Sequence, residues 1–228
     1  MKFFDYDSKP MVILRMLGDL IILNVLYLVF SIPLITIGAS GAGLYTGLRD
    51  LFDRDKNNSS FKSFWKGFKN GLGRITALWS VVLVAMALLS YSIYYLYFAI
   101  KEKIVTNNAP IIVAIIGVAL LCVYSVQLIM FHSKFDCSPM LLIKNSVMMA
   151  LGFPIRSLLM AIMFYLPIGI IIMDGGVTFI RVTPLWVAIY YSLIFQMNDL
   201  LMKKPFSKIA INANDEPEET EEDKTEEQ

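Results

Sequence analysis

Three stretches of the chain, Ile75 to Ile100, Ala109 to Phe131 and Leu158 to Met173, carry no charged residue, and Pro184 to Phe195 runs apolar into Gln196. A helix needs about 20 such residues to cross a hydrocarbon layer about 30 Å thick. The first two stretches meet that length outright. The third is short, and the fourth reaches it only by taking in Gln196, Asn198 and Asp199. Composition agrees: 57% of the 228 residues are hydrophobic and 17% charged, more apolar surface than a water-soluble core of this length hides. The expected fold class is all-α, a polytopic helical membrane protein. The start MKFFDYDSKP carries two aspartates and lacks the basic, apolar, small-residue order of a secretory leader. The first helix is therefore expected to direct insertion.

The stretch SIPLITIGASGAGLY, Ser31 to Tyr45, decides the topology. A single helix from Leu20 to Leu48 would be about 43 Å long and would need a tilt beyond about 40° to fit the layer. Pro33 has no backbone N–H and disfavours helix at Ile32, while Thr36 is placed to cap a new helix. A turn at 32–37 is expected, giving six spans at about 11–31, 38–52, 75–100, 109–131, 155–173 and 184–202. Charge supports the turn, because Lys and Arg gather on the cytoplasmic side. With it, sixteen basic residues lie inside and three, Lys101, Lys103 and Arg181, outside. Without it there are five spans, the N-terminus lies outside, and the split is thirteen to six. The expected location is a bacterial cell membrane with both termini cytoplasmic.

Small residues at Ala39, Gly43 and Gly47 make a four-residue-spaced seam that lets another helix approach closely in lipid, with packing inside the chain preferred over a dimer contact. GASGAG lacks the preceding strand and the lysine of a phosphate-binding loop. Two helices are expected to lie flat at the interface. At 61–73, Phe61, Phe64, Trp65, Phe68 and Leu72 share one face, with Lys62, Lys66 and Lys69 off it, and Ser60 is placed as the cap. Its aromatics would meet acyl chains and its lysines anionic lipid, at about 1 kcal/mol each. The second, at 139–151, is capped by Ser138. Interfacial helix, long span, short loop and span recur in 61–131 and 138–202, with Lys-Asn at 69–70 and 144–145, as in a parallel transporter repeat.

Polar groups at membrane depth are where function is sought first. Asn24, Tyr27 and Ser31 form one stripe, Gln127 lies near the inner end of its span, and Asn198 and Asp199 close the last one. These six residues either line a polar path or serve as interhelical hydrogen bonds and snorkelling ends. Asp19 and Arg15 read as an interface ion pair. Enzymatic chemistry is not expected: the single histidine, His132, has only Asp136 and Cys137 nearby, too few ligands for zinc, and no nucleophile, base and orienter assemble. No catalytic residue, metal, cofactor or nucleic-acid partner is assigned. Residues 212–228 hold nine carboxylates and one lysine, against 19 basic and 10 acidic groups in the rest. That tail is expected to be disordered and cytoplasmic. If instead it shields the basic inner face, its deletion changes lipid binding at low salt.

Asp19-Leu20 with Leu23-Asn24, Ser31-Ile32-Pro33, Thr36-Ile37-Gly38-Ala39, Leu44-Tyr45, Phe64-Trp65 and Phe68-Lys69-Asn70, with the later Lys134-Phe135 and Lys144-Asn145, resemble the YesL-like (DUF624) family of bacterial integral membrane proteins over roughly residues 3–204. The chain departs from that pattern at Gly41 to Gly43 and in its acidic tail. The family has no established activity. Its members are typically encoded among carbohydrate-utilisation genes, near ABC importers, so the resemblance implies an accessory role beside ABC sugar-importer permease subunits. The competing expectation is an autonomous small-solute transporter or channel built from the two repeats.

Overall fold

A computed structural model describes residues 9–53, 59–104, 107–135, 138–174, 177, 181 and 186–214. Among these residues the regular structure is entirely helical: α1 (Lys9–Phe30), a 3-10 turn (Leu34–Thr36), α2 (Ile37–Phe52), α3 (Ser60–Gly71), α4 (Arg74–Lys101), α5 (Ala109–Lys134), α6 (Pro139–Gly152), α7 (Pro154–Asp174), a π-turn (Trp186–Tyr190) and α8 (Tyr191–Asn214). Four of these helices, α1, α4, α5 and α7, are long and apolar enough to cross a membrane. Only 17% of the most apolar window of α4 and 33% of that of α5 is buried within the protein. Their outward faces, Val81, Val84 and Leu88 on α4 and Val113, Ile116 and Leu120 on α5, are exposed and apolar, which is stable only in lipid.

The reversal after α1 is present and is built differently from the expectation. Thr36 precedes α2, but its side chain caps nothing there. Its hydroxyl donates instead to the carbonyls of Phe30 (2.6 Å) and Pro33 (2.7 Å), closing the end of α1 where Pro33 cannot continue the ladder. Ser31 and Ser40 join hydroxyls at 2.6 Å, and Trp79 Nε1 donates to the Leu34 carbonyl at 2.8 Å. The turn is thus tied to α2 and to α4.

α2 has 16 residues, about 24 Å by helical rise, and Gly38 through Tyr45 are all buried. Its glycines face different neighbours. A Cβ on Gly38 would lie 3.0 Å from Trp79 of α4, one on Gly41 2.7 Å from Ile129 of α5, and one on Gly43 2.9 Å from the Phe64 carbonyl of α3; one on Gly47 would meet Leu23 of α1. The expected one-sided seam is therefore divided: Ala39 and Gly43 serve α3, and Gly47 serves α1.

The larger correction concerns α3. It runs antiparallel along α2, with Ser63 bonded to Asp50 at 2.8 Å near one end and Gly71 against Ala39 at the other. Most of its aromatic face is turned inward and not outward. Phe64 is fully buried and Phe68 nearly so, each tilted against Phe30 of α1 at centroid distances of 5.8 and 4.8 Å, and Trp65 joins them at 5.5 Å from Phe30. Phe61 and Leu72 remain exposed, as do Lys62, Lys66 and Lys69. The physical reason lies in Ser60, Ser63, Gly67 and Gly71, all buried, which make a smooth face matching that of α2. The cap is Ser59, one residue earlier than expected, accepting from Lys62 N at 3.4 Å.

The second lead-in helix, α6, starts as expected, with Ser138 accepting from Leu141 N at 3.4 Å. It packs on α5 and α7 through Leu142, Ser146 and Met149. The last expected span, 184–202, begins as the π-turn, and α8 continues beyond it to Asn214. Residues 212–214, assigned to the disordered tail, are thus helical, and 215–228 lie outside the described residues.

α4 ends with Ile104 N bonded to Ala99 O at 2.9 Å and Lys103 N to Ile100 O at 3.0 Å, a Schellman closure. Lys103 has φ 57°, the left-handed conformation that glycine adopts without steric cost. Lys103→Gly is therefore expected to stabilise the protein by about 0.5–1 kcal/mol, read as a higher Tm in detergent.

Candidate functional site

The expected polar residues go to separate helix contacts. Asn24, fully buried on α1, donates from Nδ2 to the Trp186 carbonyl at 2.8 Å and accepts at Oδ1 from Ser192 N at 3.1 Å. Ser192 Oγ donates back to the Leu20 carbonyl at 3.0 Å. One asparagine side chain is thus inserted into the backbone ladder where the π-turn passes into α8. π-turns leave such groups without regular partners. Tyr27 lies one turn on, against Tyr191 and Phe195 at 4.8 and 6.0 Å, and Ser31 is held by Ser40.

Gln127 of α5, 1% exposed, donates to Ser157 Oγ of α7 at 2.8 Å. Ser125 and Tyr165 share a hydrogen bond at 2.7 Å between the same helices. The Gln127 carbonyl oxygen is buried with no hydrogen-bond partner among the described residues. A half-satisfied amide contributes little net stability. Gln127→Met is expected to change stability by less than about 1 kcal/mol, measured as a Tm shift, despite the residue's complete burial. Asn198 is equally buried, and neither of its side-chain polar atoms has a partner among the described residues.

Asp199 is the exception to the sealed pattern. Its Oδ1 receives the Tyr45 hydroxyl and Lys134 Nζ, the latter at 3.0 Å, joining α2, α5 and α8. Both charged side chains are about a third exposed, at 27% and 32%, so the pair contributes about 1 kcal/mol or less. The sequence reading placed Lys134 and Asp199 at the inner ends of their spans without pairing them. Equal depth with opposite charge was the available signal.

Beside this pair the ends of four helices leave a cavity of about 640 Å³. Arg49 and Thr46 enter it from α2, Lys66 from α3, Arg74 from the start of α4, and His132 and Lys134 from the end of α5. Among the described residues that line it there is no carboxylate. Sequence reasoning assigned these basic groups to one side of the membrane but could not gather them, because their convergence depends on α3 turning back along α2. A second cavity of about 340 Å³, bounded by Tyr45, Arg49, Asp53, Gln196 and Asp199, adjoins through Arg49.

Residues 20–93, from the middle of α1 into α4, match the family model described as "Protein of unknown function, DUF624". That segment is similar to the DUF624 family. It takes in the Pro33 reversal, the whole α2–α3 hairpin and Trp79, so the match covers the close approaches of Gly38, Gly43, Gly47, Gly67 and Gly71 to their neighbours. Asn24 falls within the DUF624 match, whereas Lys134-Phe135 and Lys144-Asn145 fall beyond it. No curated protein and no solved structure matches the chain.

Proposed function

We propose that this DUF624-type membrane protein is a non-enzymatic partner of a bacterial carbohydrate importer, docking through its basic cytosolic face onto permease subunits of the ABC class. The observation that carries this reading over the transporter alternative is the sealing of the polar residues. Asn24 and Gln127, expected along any solute path, are buried and committed to helix–helix hydrogen bonds. The Ala39, Gly43 and Gly47 seam is occupied by α1 and α3, which favours the basic face over the seam for docking.

The test is a crosslinking pull-down from native membranes of cells grown on different oligosaccharides. Recovery of importer permease subunits, released as salt rises from about 0.1 M to about 1 M and the Debye length falls from about 10 to about 3 Å, supports the reading. Recovery of none under any growth condition refutes it. A reporter fused ahead of Met1 reads the orientation. A cytosolic signal keeps the sixteen-to-three arrangement, with α2 crossing alone. An external one means that α2 and α3 enter the layer as a pair.

The autonomous transporter retains one favourable observation, the buried Asn198 amide without a partner among the described residues. Solute uptake into proteoliposomes by the protein alone, lost in Asn198→Leu, would install that reading instead.

A further inference from the structure

We infer that α2 does not cross the membrane: the Pro33 turn lies near the basic end of the helical bundle, and α2 and α3 form a hairpin that only dips into lipid there. The basic end is the one that carries Arg74, His132 and Lys134. Two helices measure the depth of the turn independently. Trp79, which donates to the Leu34 carbonyl and lies against Gly38, is five residues after the start of α4 at Arg74, about 7.5 Å by helical rise, and about 33 Å short of Lys101. Ile129, against which Gly41 packs, is about 7.5 Å before Lys134 at the end of α5 and about 30 Å from Ala109 at its start. Both measures start from the same end of the molecule, because α4 and α5 run antiparallel: Leu89 lies against Gly117, and Arg74 borders one cavity with His132 and Lys134. A turn at the far surface would sit beside Lys101 and Ala109. The observed turn is removed from them by about 30 Å, a whole hydrocarbon thickness.

The path of α3 gives the same answer. It follows α2 along its length, with Ser63 bonded to Asp50 and Gly67 against Ala42 and Thr46, and brings the chain back to Ala39, where Gly71 and Ile75 meet. The outgoing and returning helices therefore make no net crossing. Whatever depth α2 reaches, α3 reaches with it. Lys62, Lys66 and Lys69 are all exposed on α3, and a lysine facing hydrocarbon is among the costliest placements a side chain can have. An α2 carried across the layer would take all three lysines into it; an α2 at the edge leaves them among headgroups and water. The lipid contact that remains is the turn itself. Ile32, Leu34 and Ile35 are each more than half exposed, at the depth where the exposed apolar face of α4 begins with Val81. Acyl chains of the leaflet on the basic side are the occupant that this apolar turn fits. The arrangement stands with or without an importer partner.

The experiment places single cysteines in the full chain, with Cys122 and Cys137 replaced by alanine, and labels them with a membrane-impermeant maleimide in intact cells, in inside-out vesicles and in detergent. Glu102→Cys, exposed at the far end of α4, marks the far surface, and Lys66→Cys marks the exposed face of α3. Ile32→Cys and Leu34→Cys both read the turn, so that one poorly folded variant does not decide the outcome. Glu102→Cys and Lys66→Cys should react from opposite sides. Neither turn position should be labelled from the Glu102 side, and both should react once detergent dissolves the membrane. Labelling of the turn from the Lys66 side supports the arrangement with the turn at the headgroups, and labelling in detergent alone supports it with the turn among acyl chains. Labelling of either turn position from the Glu102 side overturns it, because α2 would then begin at the far surface and cross. A Lys66→Cys protein that stays unlabelled from both sides until detergent is added overturns it as well, since α3 would lie within the layer.

Discussion

Asn24→Leu is expected to destabilise the protein by about 2–5 kcal/mol, the largest loss from any single polar substitution argued above. The substitution is close to isosteric, so packing changes little. What is lost is the partner of the Trp186 carbonyl and of Ser192 N, both buried where the π-turn meets α8. A buried backbone group without a partner costs about 1–3 kcal/mol. Hydrogen bonds between side chains in lipid average less, because helices separated in the membrane find other partners. Here the freed groups are backbone atoms where the π-turn passes into α8. Thermal unfolding in detergent measures the effect. Ser192→Ala removes only the single bond to Leu20 O and should cost about 1 kcal/mol. Equal small shifts for both variants would show that the asparagine is not clamping the turn.

Gly67→Val should be comparably damaging through sterics. A Cβ at Gly67 would lie 2.7 Å from Thr46 Cβ and 2.8 Å from the Ala42 carbonyl, so the obstruction is backbone and the base of a side chain, with nothing that can swing aside. α3 must lift from α2, which also pulls Phe64 and Phe68 from Phe30. Overpacking of this kind costs about 1–3 kcal/mol, and loss of the aromatic contacts adds about 0.5–1.5 kcal/mol for each ring pair. Gly47→Ala is the informative contrast. Its methyl would meet the terminal methyls of Leu23, which can rotate away, so its cost should stay below about 1 kcal/mol. If the two substitutions shift Tm alike, the α2–α3 contact is looser than described.

The helices were legible because lipid imposes a simple rule. Where no water is available to the backbone, apolar length alone marks a helix, and α4, α5 and α7 begin and end within about three residues of the expected positions. The Pro33 reversal was legible for a related reason: a proline in an overlong apolar segment cannot be ignored. The destinations of polar side chains were not. Asn24 reads in sequence as one more polar group at depth, equally suited to a path or a clamp, and only the arrival of a π-turn 162 residues away makes it a clamp. The Lys134 and Asp199 pair likewise required two helix ends to meet.

The clearest contrast is within SSFKSFWKGFKNG. Its periodicity specified a helix with aromatics on one face, and that helix is there. Whether the aromatic face meets acyl chains or Phe30 is undetermined by periodicity, since both are apolar. The deciding term is the match between two small-residue faces, Ser63, Gly67 and Gly71 on one helix and Ala39, Ala42 and Gly43 on the other, which lets backbones approach as side chains elsewhere would forbid. Hydrophobic length and charge thus dictated that the chain enters lipid as helices. Which helices touch, and so where the basic groups converge, was left to close packing, because complementarity of shape belongs to pairs of surfaces and is written in neither one alone.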